Sequence, residues 1–159
     1  MKTWAKAAVV TVVVGILAFL ATPMGPWGSF WAPTPEIGAP TTLQSALFGF
    51  LTAVESLVFG LGLSFFIFGF PLVTSMGAAP KGLSRAAHVS ITWMLVNWWP
   101  HDSLHLHNGM NLNGLIVIDY CFHLTIIAAG LMTAYFFLKV LRARSASAAP
   151  AGRGAQGIM

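Results

Sequence analysis

Histidine and aspartate side chains are concentrated in one short segment of this 159-residue chain. Residues 101–107 read His-Asp-Ser-Leu-His-Leu-His, so three imidazoles and one carboxylate fall close together. Imidazole is the commonest metal ligand in proteins, and carboxylates complete such sites or orient their histidines. The segment therefore predicts a metal site, and its nitrogen-rich ligand set suits Zn²⁺ or Cu²⁺.

A second group of ionisable residues lies in apolar surroundings. Asp119 and His123 are four residues apart, which places them on one face of a helix, and Glu55 lies in another apolar stretch. An ionised carboxylate at membrane depth is costly unless it is paired, protonated or hydrated. We therefore expect these three side chains to join the histidine-rich segment in one site. The predicted metal ligands and supporting residues are His101, Asp102, His105, His107, Asp119, His123 and Glu55.

Two geometries are open for the histidine-rich segment. An extended strand alternates its side chains, so His101, His105 and His107 would share one side. A helix would put His101 and His105 on one face and turn His107 away. Pro100 before the segment and Asn108-Gly109 after it favour a loop, and the sequence therefore predicts a histidine-rich loop.

Composition determines the class of protein that must position these residues. Apolar residues make up 57% of the chain and charged residues only 8%, whereas a soluble domain carries about 25% charged residues. Lipid is therefore the expected solvent. The composition predicts an all-α integral membrane protein, because a segment that crosses lipid has to satisfy its own backbone hydrogen bonds. Four apolar blocks predict a bundle of four transmembrane helices, at about 5–22, 43–73, 86–99 and 113–141.

The basic residues predict how the bundle is oriented. With four crossings, every Lys and Arg falls on the same side of the membrane, and the loops 23–42 and 100–112 contain none. Because Lys and Arg are enriched in cytoplasmic segments, both chain ends are predicted to be cytoplasmic and the histidine-rich loop to be extracytoplasmic. The net charge of +4 reflects this topology, and nucleic acid is not an expected partner.

The remaining segments complete the predicted architecture. Residues 1–144 form the transmembrane domain, the proline-rich segment 23–42 is an outer loop, and 145–159 is a flexible cytoplasmic tail. Within the second span, Ser56, Gly60 and Ser64 repeat small residues every fourth position, a pattern that favours close helix packing within or between chains. Membrane lipid and a homo- or hetero-oligomeric assembly are the expected partners.

Several functions remain open at this point. The favoured one is a membrane protein with an outer-leaflet metal site, acting as a subunit or partner of a larger membrane enzyme. A second is an accessory subunit of a redox complex in which His123 ligates haem or a pigment, or lies near a quinone. A third is a component of a proton- or ion-coupled transporter that uses Glu55, Asp119 and His123 as a relay. Non-metal alternatives are a hydrated histidine-rich loop and a purely structural Asp119–His123 pair.

Overall fold

The structure is a computed structural model that describes residues 2–32, 34–35, 40–76 and 79–148. Most of these residues are helical, and there is no strand among them. The helices are α1 (Thr3–Leu20), α2 (Thr42–Phe68), α3 (Phe70–Ser75), α4 (Lys81–Val96), α5 (Trp98–Asn108), α6 (Leu112–Ile118) and α7 (Thr125–Ala148), with a π-helical segment at Asp119–Leu124 and a short 3₁₀ turn at Gly28–Trp31.

Within the described residues, three helices are long and apolar enough to cross a membrane. They are α1, α2 and the continuous helix Leu112–Ser147, which joins α6, the π-helical segment and α7. Large apolar side chains cover their outer faces, for example Phe50 at 71% exposed and Leu131 at 68% exposed. Such extensive apolar exposure suits contact with lipid and is consistent with an integral membrane protein.

Helices α1 and α2 pack closely along the predicted row of small residues. A Cβ atom added at Gly60 would lie 2.3 Å from the Thr11 carbonyl oxygen, so only glycine fits between the two backbones. One turn further along, the Ser64 hydroxyl donates a hydrogen bond to the carbonyl of Ala7 at 2.9 Å. The small-residue pattern therefore marks helix packing within the chain, which was one of the two predictions made from it.

The second predicted span is two helices. Helix α2 ends at Phe68, Gly69 separates it from α3, and Pro71 follows. A proline ring clashes with the carbonyl four residues earlier and lacks an N–H donor, so it interrupts the helix. Beside this break, His88 of α4 is buried and its Nε2 lies 3.0 Å from the Phe65 carbonyl oxygen, which ties α4 to α2.

The histidine-rich segment is a helix, so the prediction of a loop was wrong. Helix α5 follows α4 after a break at Asn97 and ends at Asn108. Pro100 lies in the first turn of α5, where backbone N–H groups have no partner within the helix, so the missing N–H costs no hydrogen bond. Its ring would clash with the carbonyl of Val96, four residues earlier, and this interrupts the helix between α4 and α5. Gly109 ends the helix with φ of 56°. Proline and glycine therefore mark the two ends of a helix here.

The third and fourth predicted spans also differ from simple helices. Helix α4 has 16 residues, fewer than the roughly 20 that a straight crossing needs, and α5 extends it beyond the break. The fourth block contains the π-helical segment and continues to Ala148, so its helix enters the segment predicted to be a flexible tail. The rest of that tail, 149–159, lies outside the described residues.

The best-buried apolar cluster joins α3, α4 and α7. Its members are Val73, Ala87, Phe136 and Val140. The cluster lies beside the short connection between α3 and α4, whereas the histidines lie beyond the opposite end of α4. The densest apolar packing and the candidate site are therefore at opposite ends of α4.

Candidate metal centre

Two helical elements bring the candidate ligands together. Helix α5 carries His101 and His105 one turn apart, and the π-helical segment carries His123. One ring nitrogen from each histidine lies within 4.8 Å of the other two. Among the described residues, these three form the group of ionisable side chains that could hold one metal ion.

The three Nε2 atoms converge on a common point. The Nε2 of His101 lies 2.9 Å from that of His123 and 3.1 Å from that of His105. Two imidazole nitrogens bound to one tetrahedral Zn²⁺, each at about 2.0–2.1 Å, lie about 3.3–3.4 Å apart. A movement of a few tenths of an ångström would therefore bring the Nε2 of His101 to ligand spacing from each of the other two nitrogens.

Carboxylates hold the opposite side of two of these rings. Asp102 Oδ1 lies 2.6 Å from His101 Nδ1, and Asp119 Oδ1 lies 2.7 Å from His123 Nδ1. An ionised carboxylate only accepts hydrogen bonds, so each Nδ1 carries the proton and donates it. In the neutral rings, both Nε2 atoms then present lone pairs to the common point, as they do in metal sites with carboxylate-oriented histidines.

A positive charge between the two facing lone pairs would stabilise this arrangement. Two nitrogen lone pairs that face each other at 2.9 Å repel unless a proton or a cation lies between them. A metal ion bound by both nitrogens removes the repulsion without disturbing either carboxylate hydrogen bond. A proton can do so only by converting one of the two rings to imidazolium, so protons and metal ions compete for this position.

The third imidazole is suited to the same role. Partial burial lowers the pKa of His105, and the neighbouring His101 lowers it further. A lowered pKa favours the neutral ring, which is the form that binds a metal. His105 therefore adds a third uncharged nitrogen donor.

Glu55 reaches the site indirectly. Its carboxyl group lies within hydrogen-bonding reach of Asp102, which in turn contacts His101. Glu55 is thus the one predicted site residue on α2, and it supports the centre through Asp102. The contact also connects the long helix α2 to the short helix α5.

The structure does not bring His107 to the centre. Its Nδ1 lies 2.5 Å from the carbonyl oxygen of Trp31, to which it donates. The backbone N–H of Thr34 also donates to the Leu106 carbonyl at 3.1 Å. His107 therefore fastens the segment after α1 to the end of α5, on a different face from His101 and His105.

Tryptophans fix α5 relative to the end of α1. The last carbonyls of a helix lack helical partners, and here indole N–H groups reach two of them: Trp99 donates to Ala18 at 3.1 Å, and Trp31 donates to Ala21 at 2.6 Å. The Trp99 ring also packs against Phe59 of α2. The position of α5 is thereby set by α1 and α2 together.

Aromatic rings that sequence reasoning did not select surround His101. Trp98 and Phe122 meet its ring edge to face, with centroid distances of 5.9 and 5.7 Å. The side chain of His101 is only 11% exposed, whereas the side chain of His123 is 48% exposed. The centre thus has a shielded inner wall and an accessible outer side. Residue type alone gave no signal for Phe122, which is one of many aromatic residues in the spans.

Three protein ligands with one accessible side leave room for a further ligand. Zinc sites that act on substrates commonly have three protein ligands and a water in the fourth position, whereas structural sites are closed by four.

Comparison of the chain with protein-family models, with curated proteins and with solved structures returned no match.

Proposed function

We propose that this chain is an integral membrane protein that binds one divalent transition-metal ion at its outer leaflet. His101, His105 and His123 supply the ligands, Asp102 and Asp119 orient two of them, and Glu55 supports Asp102. Zn²⁺ and Cu²⁺ suit three neutral imidazoles. The open side of the centre fits a role as a subunit or partner of a larger membrane enzyme.

The convergence of three Nε2 atoms carries this proposal. A hydrated histidine-rich surface would direct its rings outward, and a structural Asp–His pair would need only one histidine. Here two carboxylates hold the rings of His101 and His123, whose Nε2 atoms face each other at 2.9 Å, and the Nε2 of His105 lies 3.1 Å from that of His101. Each of these features lowers the cost of binding a cation, because carboxylates already orient two of the ligands.

The same geometry disfavours haem. A haem iron needs a porphyrin ring between its axial ligands, but the Nε2 atoms of His101 and His123 are only 2.9 Å apart. A single small ion fits between nitrogens at that spacing. The contact of Glu55 with Asp102 likewise joins it to the metal centre.

The proposed topology has four crossings with both ends in the cytoplasm. Helix α4, extended by α5 beyond the break at Asn97, makes the third crossing and places the centre near the outer surface. All Lys and Arg residues then lie on the cytoplasmic side, as the positive-inside rule requires.

Elemental analysis of the purified full-length protein tests the metal proposal. We expect about one Zn or Cu per chain after metal-replete expression, and loss of the metal in His105→Ala. His107→Ala is the matched control, since it removes an imidazole from the same helix but not from the centre; it should retain the metal. Metal-free wild-type protein, or equal loss in both variants, would contradict the proposal. An optical spectrum of the same sample reports any haem or pigment.

A further inference from the structure

A shallow apolar groove runs between α4 and α7. It has a volume of about 540 Å³, within the usual range for small-molecule sites. Its floor is formed largely by small side chains, which leave room between the two helices. The groove is lined by Arg85, Ala86, Val89, Ser90, Trp93, Thr125, Ala128, Ala129 and Met132.

The two ends of the groove differ in chemistry. Arg85 lies at one end, and Lys81 precedes it by four residues on the same face of α4. Trp93 lies at the opposite end; its indole N–H donates to the Thr125 hydroxyl at 2.9 Å, and its ring stacks on Phe122. The distance along α4 from Arg85 to Trp93 is roughly 12 Å.

The cationic end has no partner of its own. Among the residues that the structure describes, the ion pairs join histidine to aspartate, and none involves Arg85. Arg85 is exposed, so its guanidinium is free to bind an anion. Arginine is well suited to phosphate, because its planar fork donates two parallel hydrogen bonds.

We propose that this groove binds one anionic glycerophospholipid. The phosphate lies against Arg85 and Lys81, and one acyl chain lies along the groove until Trp93 blocks it. Charge complementarity selects an anionic head group, and the small residues on the groove floor select a single flexible chain. The Trp93 end of the groove adjoins the histidine cluster through Phe122, but none of the three candidate ligands lines the groove.

Native mass spectrometry of the full-length protein in detergent tests this proposal. The protein is incubated with equal amounts of phosphatidylglycerol and phosphatidylcholine. We expect one phosphatidylglycerol to be retained per chain, in preference to phosphatidylcholine. Arg85→Gln should reduce retention by about tenfold, as expected for the loss of a charge-assisted hydrogen bond.

A second variant and two matched controls separate the groove from general charge effects. Ala128→Trp fills the groove without changing the charge and should also abolish retention. Arg142→Gln removes an arginine outside the groove, and Leu131→Trp adds bulk at an exposed position outside it; both should behave as wild type. Equal losses in Arg85→Gln and Arg142→Gln, retention by Ala128→Trp, or no preference between the two lipids would overturn the proposal.

Discussion

His101 is the residue on which the geometry of the candidate metal centre depends. Its Nδ1 is held by Asp102, and its Nε2 faces both His105 and His123. Aromatic rings on two sides limit its rotation. A ligand ring that is already fixed loses little entropy when a metal binds, so this side chain organises the other two.

The exposed carboxylate Asp119 offers the clearest test of how the rings are oriented. We expect Asp119→Asn to weaken metal affinity by about 10–100-fold, because the neutral amide no longer increases the basicity of His123. The stoichiometry at saturating metal should stay the same, since all three imidazoles remain. Affinity is measured by competition with a chelator of known strength.

The neighbouring residue Tyr120 provides the control for that experiment. It is also exposed, at 65%, and no hydrogen bond joins it to the histidines among the contacts of the described residues. Tyr120→Phe should leave affinity unchanged. If Asp119→Asn binds as tightly as Tyr120→Phe, the carboxylate does not orient a ligand.

Residue type and spacing had selected the three histidines that the structure brings together. His101, His105 and His123 could be selected because imidazoles and carboxylates are costly near lipid, and Asp119 because it lies four residues before His123. The sequence did not show that His107 lies apart from His101 and His105, because the direction of its side chain depends on whether the segment is a strand or a helix. The contact of Asp102 with His101 could not be predicted either, because whether two adjacent side chains meet depends on the rotation of the His101 ring.

At the scale of the elements, α1 and α2 form the tightest pair in the bundle. Their backbones approach at Gly60, where a Cβ would collide with the Thr11 carbonyl, and again at Gly15, where it would contact the Ser56 backbone. In lipid, such close van der Waals packing is a main source of helix association. The pair in turn anchors Trp99 through the Ala18 carbonyl.

Substitution of Gly60 tests this packing. We expect Gly60→Ala to destabilise the fold by about 1–3 kcal/mol, because the added methyl group forces the two backbones apart. Gly49→Ala is the control: it lies in the same helix, and a Cβ there meets nothing within 4 Å. That change should be neutral or stabilising by up to about 1 kcal/mol. Thermal unfolding in detergent measures both, and equal midpoints would show that the contact contributes little.

The sequence predicted the helical blocks better than the breaks within them. Long apolar runs require helix in lipid, so the spans at 5–22 and 43–73 nearly match α1 and the pair α2–α3. Pro100 was the ambiguous residue, since proline accompanies loops and first turns of helices alike. The π-helical segment at Asp119–Leu124 has no proline or glycine to mark it. Its wider turn depends on contacts made in the folded molecule, and such turns occur frequently at functional sites.

At the scale of the whole molecule, apolar packing and metal chemistry are separated. The cluster that contains Val73 and Phe136 lies near the α3–α4 connection, and the histidines lie beyond the other end of α4. Loss of a ligand therefore leaves the best-packed region intact. This separation is why the histidine variants proposed above should remove metal while the protein still folds.

Cysteine labelling tests whether α4 and α5 complete a third crossing. In a Cys121→Ser background, which removes the single native cysteine, cysteines are placed one at a time by Ser29→Cys, Gly82→Cys and Met110→Cys, all at exposed positions. With four crossings, positions 29 and 110 lie outside and position 82 inside. A membrane-impermeant maleimide should therefore label the first two in intact cells, and position 82 only after permeabilisation.

The comparison of positions 82 and 110 is decisive, because only α4 and α5 separate them along the chain. If positions 82 and 110 were both labelled only after permeabilisation, these helices would not cross, and the candidate metal centre would face the cytoplasm.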